Sequence, residues 1–552
     1  MKYLNKYPFL LLTLLCIAIF MVHLDALWVN IMEARNFVTA REMLQKGNWV
    51  LTTLNEEPRY QKPPLPTWLS AGSAFLFGIK SVFAMRIPAA LVSILMILTT
   101  YVFAKKLTNN NTYAFISSLI LATSFFIVFS GRNGQWDIFT HGFMMVAIYQ
   151  LYLLFSSQEK KYKRALIAAL FFGCSFMSKG PVSLYTLLLP FLLAYGFVFN
   201  YKKGTKSILP LLLFLIVALL LSSWWHVYIY IFDTEKVLAT TSKETANWSN
   251  YNVRPFYYYW SFFTQSGIWS IPAFIGLLYP YLKNRVFFKK GYQFTLLWTL
   301  ISVVLLSIIP EKKSRYLLPV LLPLALNTGF YIEYLFRRFA NLSDKKEIIP
   351  VYINFGIIGL IGVMLPVIGY LFLKDITQVP WIWFAAVSIS SFIIGVFIFL
   401  QLFQKKIKRV FSATILLIVC LVCFGMPLSK ATFQNNAYKS FTALKQWEAE
   451  NKIPVYEFAY FTPEIIWEYG SSIPVIYNQN QTTTLPDEKT FAVLVGGGDE
   501  SNLKEAFKNY RIQKVSRYDI NINSPSHKKY NGRLWRDLFL VSMPKNAALP
   551  ID

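Results

Sequence analysis

The sequence predicts an α-helical polytopic membrane protein of about thirteen transmembrane helices with a small extracytoplasmic α/β domain at its C-terminal end. Three observations carry this. Of 552 residues, 55% are hydrophobic and 17% aromatic while only 15% are charged, a balance too apolar for an ordinary soluble chain. Apolar runs approaching the ~20 residues needed to cross the hydrocarbon core recur from Pro8 to Met426. Beyond Met426 the chain turns to short amphipathic stretches.

In order, the runs are Pro8–Trp28, Phe83–Phe103, Tyr113–Phe129, Ile138–Phe155, Ala165–Phe176, Val182–Phe199, Ile208–Phe232, Trp260–Leu282, Tyr292–Ile309, Tyr316–Phe336, Val351–Leu373, Trp381–Phe403 and Val410–Met426. The first begins like a signal peptide, but no small-x-small cleavage site follows at Leu24 to Trp28, so it reads as an uncleaved span. The formal net charge of +26 raises nucleic acid as a partner. However, the basic residues sit between the runs, as Lys105/Lys106, Lys160 to Arg164, Lys202/Lys203/Lys206, Lys283 to Lys290, Arg337 to Lys346 and Lys405 to Arg409. With the N-terminus cytoplasmic, all six clusters fall on the cytoplasmic side, so the charge is topological and no nucleic acid is expected. Cys16, Cys174, Cys420 and Cys423 lie in apolar stretches and suggest neither a disulfide framework nor a metal cluster.

An odd span count divides the chain into a transmembrane part, 1–429, and an extracytoplasmic part, 430–552. The latter is expected to hold an amphipathic helix at Tyr438 to Glu448, strands at Phe491 to Val495 and Leu538 to Val541, and a helix at Ser501 to Tyr510. Gly496-Gly497-Gly498-Asp499 lacks phosphate-loop spacing and reads as a turn. Outer loops at 29–82 and 233–259 are too long for turns. The first should carry amphipathic helices at Glu33 to Lys46 and Leu65 to Phe77.

Charge on the outer side is the informative charge, because topology does not explain it. Lys312, Lys313 and Arg315 crowd one short loop, either to attract an anion or to reach lipid headgroups. Lys179, in Ser-Lys-Gly-Pro, is placed to meet a phosphate or to stand as a solvated turn lysine. Lys62 precedes two prolines that limit where it can reach, and Arg59 and Tyr60 lie beside it. Glu33 and Asp137 are outer carboxylates beside apolar helix, suited to a cavity, although a helix N-terminus also favours Asp137 through its dipole. His226 and Arg254 read as interfacial anchors.

Glu33-Ala-Arg35, Arg41-Glu42-Met43, Gly47-Asn48-Trp49, Tyr60-Gln61-Lys62-Pro63-Pro64-Leu65, Trp68, Phe77-Gly78, Arg86 and Lys179-Gly180-Pro181 together resemble the aminoarabinose transferases and related dolichyl- and polyprenyl-phosphate-sugar transferases of the GT-C class. The resemblance implies a polyprenyl-phosphate-sugar donor, an outer-face site under the first long loop, and transfer with inversion to an envelope lipid, glycan or protein. By that likeness Lys62 meets the donor phosphate, Asp137 matches an acidic position and Tyr316 lies near the donor pocket; the outer charges themselves add Arg315, Lys179, Lys312 and Lys313 as candidate phosphate ligands. Arg35, Arg59 and Tyr60 are candidates for the substrate pocket beside Tyr316, and for a hydroxyl acceptor Glu33 or Asp137 would serve as base. Two positions depart from the pattern: Met32 stands at an acidic position and Gln61 at a glutamate associated with metal. Neither a divalent metal nor aminoarabinose specificity is therefore inherited. The competing expectation is a transporter of a lipid-linked sugar, against which stand uninterrupted spans without evident repeats.

Overall fold

A computed structural model describes residues 7–157, 159–201, 208–376, 379–431, 435–476 and 486–543, arranged in two compact units. The N-terminal hexapeptide and the Lys202/Lys203/Lys206 cluster lie outside the described residues. The first unit holds residues 1–27, 60–73 and 82–431; the second holds 28–59, 74–81 and 432–552.

The first unit is a helical membrane bundle. Among the described residues, eight helices are long and apolar enough to span, from Val82–Thr108 to Ile407–Lys430, and Asn111–Ala122 with Phe125–Gly131 adds a ninth if counted as one bent span. Pro8–Phe20 and Leu184–Phe199 are shorter apolar helices. Lipid supplies no water to satisfy a helix end, so each terminus needs a protein partner. At the end of Pro8–Phe20 two buried arginines provide it. Arg132 donates to the Ile19, Val22 and His23 carbonyls, each at 2.7 Å, and Arg86 to Leu24 and Leu27 at 2.8 and 3.0 Å.

Two expected spans are interrupted, for different reasons. The run at Tyr113–Phe129 bends by 66° between Ala122 and Phe125. There Thr123 and Ser124 turn their hydroxyls back onto the Leu119 and Ile120 carbonyls at 2.6 and 2.7 Å, a bond that competes with the helix ladder. The run at Trp260–Leu282 is not one helix. It is broken into Phe262–Trp269, Ser270–Gly276 and Tyr279–Leu282, because Gly267 takes φ +68° and Pro280 cannot donate its backbone nitrogen.

The second unit is built on a four-stranded sheet in the order β3-β4-β6-β5, with β3 Val455–Glu457, β4 Thr490–Val495, β5 Arg511–Asp519 and β6 Trp535–Ser542. β3 runs parallel to β4 and the other pairs are antiparallel. Period-two alternation gives each face a core. Val455, Ala492, Leu494 and Leu538 pack with Phe441, Leu444, Ile465 and Ile466 of helices Phe441–Asn451 and Pro463–Tyr469. Phe491, Val493, Val495, Phe539 and Val541 pack on the other side with Leu503 and Phe507.

Residues of the first outer loop complete this unit rather than forming a loop apart. Helix Ile31–Lys46 starts in a capping box: the Asn30 side chain accepts from Met32 and Glu33, and the Glu33 carboxylate accepts from the Asn30 backbone. Its Val38 joins the first of the two cores, as does Leu54 of the small hairpin β1 Thr53–Leu54 and β2 Glu57–Pro58. Arg41 reaches the Ile466 and Trp467 carbonyls at 3.0 and 3.3 Å, and burial pushes its pKa down to about 10. Glu42 accepts from Thr53 Oγ1 at 2.5 Å and the Asn55 backbone at 2.7 Å, while Asn55 bonds Ile473 in both directions at 2.8 Å.

Candidate functional site

The site grows from two consecutive helices of the first unit. Trp136–Ser156 and Lys161–Lys179 run antiparallel, and their register is fixed by a reciprocal pair: Thr140 Oγ1 donates to the Ser175 carbonyl and Ser175 Oγ to the Thr140 carbonyl, both at 2.7 Å. About one turn nearer the helix ends, the same register brings Asp137 against Lys179 as an ion pair, their side chains 7% and 10% exposed. Asp137 sits in the first turn, where the dipole favours an anion. Lys179 is the last helical residue, and Gly180 at φ +69° turns the chain away at once.

A third element crosses at this point. The 3-10 turn Ser314–Val320 packs against the start of the Asp137 helix and presents Tyr316. Three cations surround its ring, with Lys179 Nζ at 5.4 Å, Lys313 Nζ at 5.7 Å and the Arg315 guanidinium carbon at 5.8 Å from the centroid. Two carboxylates answer them. Asp137 holds Lys179, and Glu311 accepts from Lys313 Nζ at 2.5 Å and from the Tyr316 hydroxyl at 3.0 Å. Arg315 is the surplus charge: it forms no ion pair among the described residues, and its Nε is buried without a hydrogen-bond partner. A cluster of this kind is one anion short of neutrality.

Lys312 does not take part as the sequence suggested. Its ammonium donates to the Ile309 and Arg254 carbonyls at 2.6 and 3.0 Å, and burial holds its pKa below the usual lysine value. With the Val253–Glu311 bridge, it fastens the basic loop to residues 252–254, so it is spent on the backbone. Tyr60 and Lys62, also in the first unit, are tied to helix Thr234–Asn250 and its cap. The Tyr60 hydroxyl donates to Asp233 at 2.8 Å, burial and then that carboxylate raise its pKa well above the usual phenol range, and Lys62 stands 4.0 Å from Glu244. Glu33, Arg35 and Arg59 belong to the second unit. The Glu33 carboxylate closes the capping box, Arg35 is half-buried, and the Arg59 backbone pairs with Thr52.

Two site residues went unread in the sequence. Glu311 was overlooked because three positive charges crowd the positions just after it. His141, one helical turn beyond Asp137, is buried and shares a 3.0 Å hydrogen bond with Ser183 Oγ. Its i,i+4 spacing from Asp137 was the available signal. Among the described residues no group of three or more His, Cys, Asp or Glu is arranged to hold a metal ion, and carboxylates committed to lysines do not suit one.

Fold and site together describe a multi-span helical membrane protein with a cluster of cations and carboxylates at its helix ends. Residues 61–226 match the family model of dolichyl-phosphate-mannose-protein mannosyltransferases. More particularly, the chain resembles the aminoarabinose transferases. It is 26% identical over 373 residues to undecaprenyl phosphate-alpha-4-amino-4-deoxy-L-arabinose arabinosyl transferase 1 of Proteus mirabilis (strain HI4320), covering 65% of each chain. An uncharacterized protein of Aquifex aeolicus (strain VF5) is also 26% identical, over 61% of this chain and 66% of its own. The chain thus spans just under two thirds of these curated relatives' lengths. Two crystal structures of ArnT from Cupriavidus metallidurans share the fold at 15% identity: the apo state with a TM-score of 0.68 over 98% of both chains, and the form bound to undecaprenyl phosphate with 0.65 over 97%.

Proposed function

We propose that this chain is an integral membrane glycosyltransferase that moves a sugar from a polyprenyl-phosphate donor to an envelope lipid, glycan or protein, with inversion at the anomeric carbon. The observation that carries the reading is the unneutralised cation cluster around Tyr316, supported by the likeness to transferases of the arabinosyl and mannosyl kinds. The N-terminus is cytoplasmic, and the site and the second unit face outward, the orientation that puts the basic loops inside.

The chemistry follows from the charges. Breaking the bond between the anomeric carbon and the phosphate oxygen leaves its electron pair on the phosphate, while positive charge builds at the carbon. Arg315, Lys313, Lys179 and Lys62 stabilise the departing phosphate through charge-assisted hydrogen bonds. As the phosphate draws Lys179 to itself, the Asp137 carboxylate is released from its ion pair. It then accepts the proton of an acceptor hydroxyl as the new carbon–oxygen bond forms on the opposite face. An acceptor that is already an anion needs no such base. Glu33 is the less suited carboxylate because its Oε2 serves the capping box, accepting from both the backbone and the side chain of Asn30.

The test is transfer from a polyprenyl-phosphate sugar in membranes containing Arg315→Ala or Lys62→Ala protein. Both variants should be expressed and lose transfer by at least ~100-fold. Full activity in both removes the assignment. Labelled substrate that crosses the membrane without covalent transfer would establish a transporter instead. Mass spectrometry of envelope lipids, glycans and proteins from cells lacking the gene identifies sugar and acceptor together.

A further inference from the structure

We propose that His141 and Ser183 are a positioning pair that holds the Lys179 turn in place for an oxyanion. The inference rests on the donor-phosphate reading of the site. Lys179 ends its helix, and Gly180 at φ +69° then turns the chain away, so where the ammonium stands depends on how the residues on either side of it are anchored. Consecutive residues of the Asp137 helix supply both anchors. Thr140 bonds Ser175, one turn before Lys179, and His141 bonds Ser183, four residues after it. All four side chains are buried.

The backbone beyond Ser183 makes the second anchor necessary. Ser183 caps a π-helical turn, Leu184–Leu188, in which the Leu189 nitrogen reaches back to the Leu184 carbonyl. Pro190 cannot donate to the carbonyl four residues earlier, so the helix widens there. The far side of the turn is pinned, by Tyr185 to the Leu305 carbonyl at 2.9 Å and by Trp298 Nε1 to the Leu187 carbonyl at 3.0 Å. A widened turn fixed to another helix would drift with that helix. The His141–Ser183 bond ties it back to the helix that carries Asp137, so Lys179 and its counter-charge move as one body. His141 touches neither donor nor acceptor in this scheme and acts through Lys179.

The experiment measures binding of undecaprenyl phosphate, the bare anionic carrier, to the purified full-length chain in detergent, alongside donor KM and kcat. His141→Phe keeps ring volume and removes the hydrogen bond; Ser183→Ala removes one hydroxyl; His141→Asn keeps a polar atom near the place of Nδ1. Each of the first two should weaken binding by ~10-fold and raise donor KM more than it lowers kcat. The double variant should lose ~10-fold rather than ~100-fold, because both changes delete one bond. His141→Asn should recover most of the loss. Unchanged binding in Ser183→Ala, multiplicative losses in the double variant, or no recovery by Asn each overturns the pair. Should His141→Phe fail to fold, Ser183→Ala and His141→Asn carry the test alone. Wild-type protein that binds the carrier but transfers no sugar overturns the enzyme reading and leaves the pair standing. Wild-type transfer with undiminished binding in Ser183→Ala overturns only the pair.

Discussion

Arg536 in the second unit is buried and Arg315 in the first is half-buried, and the two are used differently. Arg536 is completely buried, and each of its nitrogens is occupied: Nε by Glu457 at 2.9 Å, Nη1 by the Arg533 and Trp535 carbonyls, and Nη2 by Tyr460 and Thr462. Arg315 has no carboxylate of its own and an orphaned Nε, in a group where two acids face three cations. Buried charge is therefore no sign of a site by itself. A cation with a buried nitrogen that no local group satisfies, as at Arg315 Nε, is such a sign, because a donor withdrawn from water without an acceptor costs stability that a bound anion offsets.

Three substitutions sharpen or break that contrast. Asp137→Asn should lower kcat by ~10²–10⁴-fold while the protein still folds, read as single-turnover transfer to a hydroxyl acceptor. A fall in carrier binding with kcat preserved would make Asp137 a holder of Lys179 and not a base. Glu457→Ala should destabilise the second unit by about 3–5 kcal/mol, because it strands a buried guanidinium, and limited proteolysis of 435–543 should report it. Transfer per folded molecule should not change; a collapse matching that of Arg315→Ala would erase the distinction between the two arginines. Asn30→Ala removes the cap of helix Ile31–Lys46 and should cost about 1 kcal/mol, seen as a small drop in the thermal midpoint.

Hydropathy and period made much of the architecture legible. The helices at 31–46 and 65–77 were visible in their spacing, and so were β4, β6 and the helices on either side of the sheet. β3 escaped because three residues carry too little alternation, and β5 because Arg511 to Arg517 is an edge strand with most side chains in water. Helix 463–469 is hidden by its shortness. The broken segment at 260–282 looked continuous because hydropathy counts apolar residues and is blind to the φ of Gly267. At the site, Asp137, Lys179 and Arg315 could each be singled out as a charge where topology offers no reason for one, and Tyr316 only through the family resemblance. That they meet could not be read, since the pairing of Asp137 with Lys179 depends on the Thr140–Ser175 register. The capping box at Asn30 to Glu33 was in plain view as Asn-x-x-Glu, and it qualifies the role first given to Glu33.

The grouping of residues 28–59 with 432–552 sets an order of events during synthesis. Val38, Leu54 and Arg41 leave the ribosome early, but the strands and carbonyls that receive them are made several hundred residues later. At ordinary elongation rates the wait is on the order of 20–80 s. Through that interval Val38 and Leu54 have no core to join and the carbonyls that Arg41 bonds do not yet exist, so the newborn chain carries an unpartnered apolar surface until its last fifth arrives.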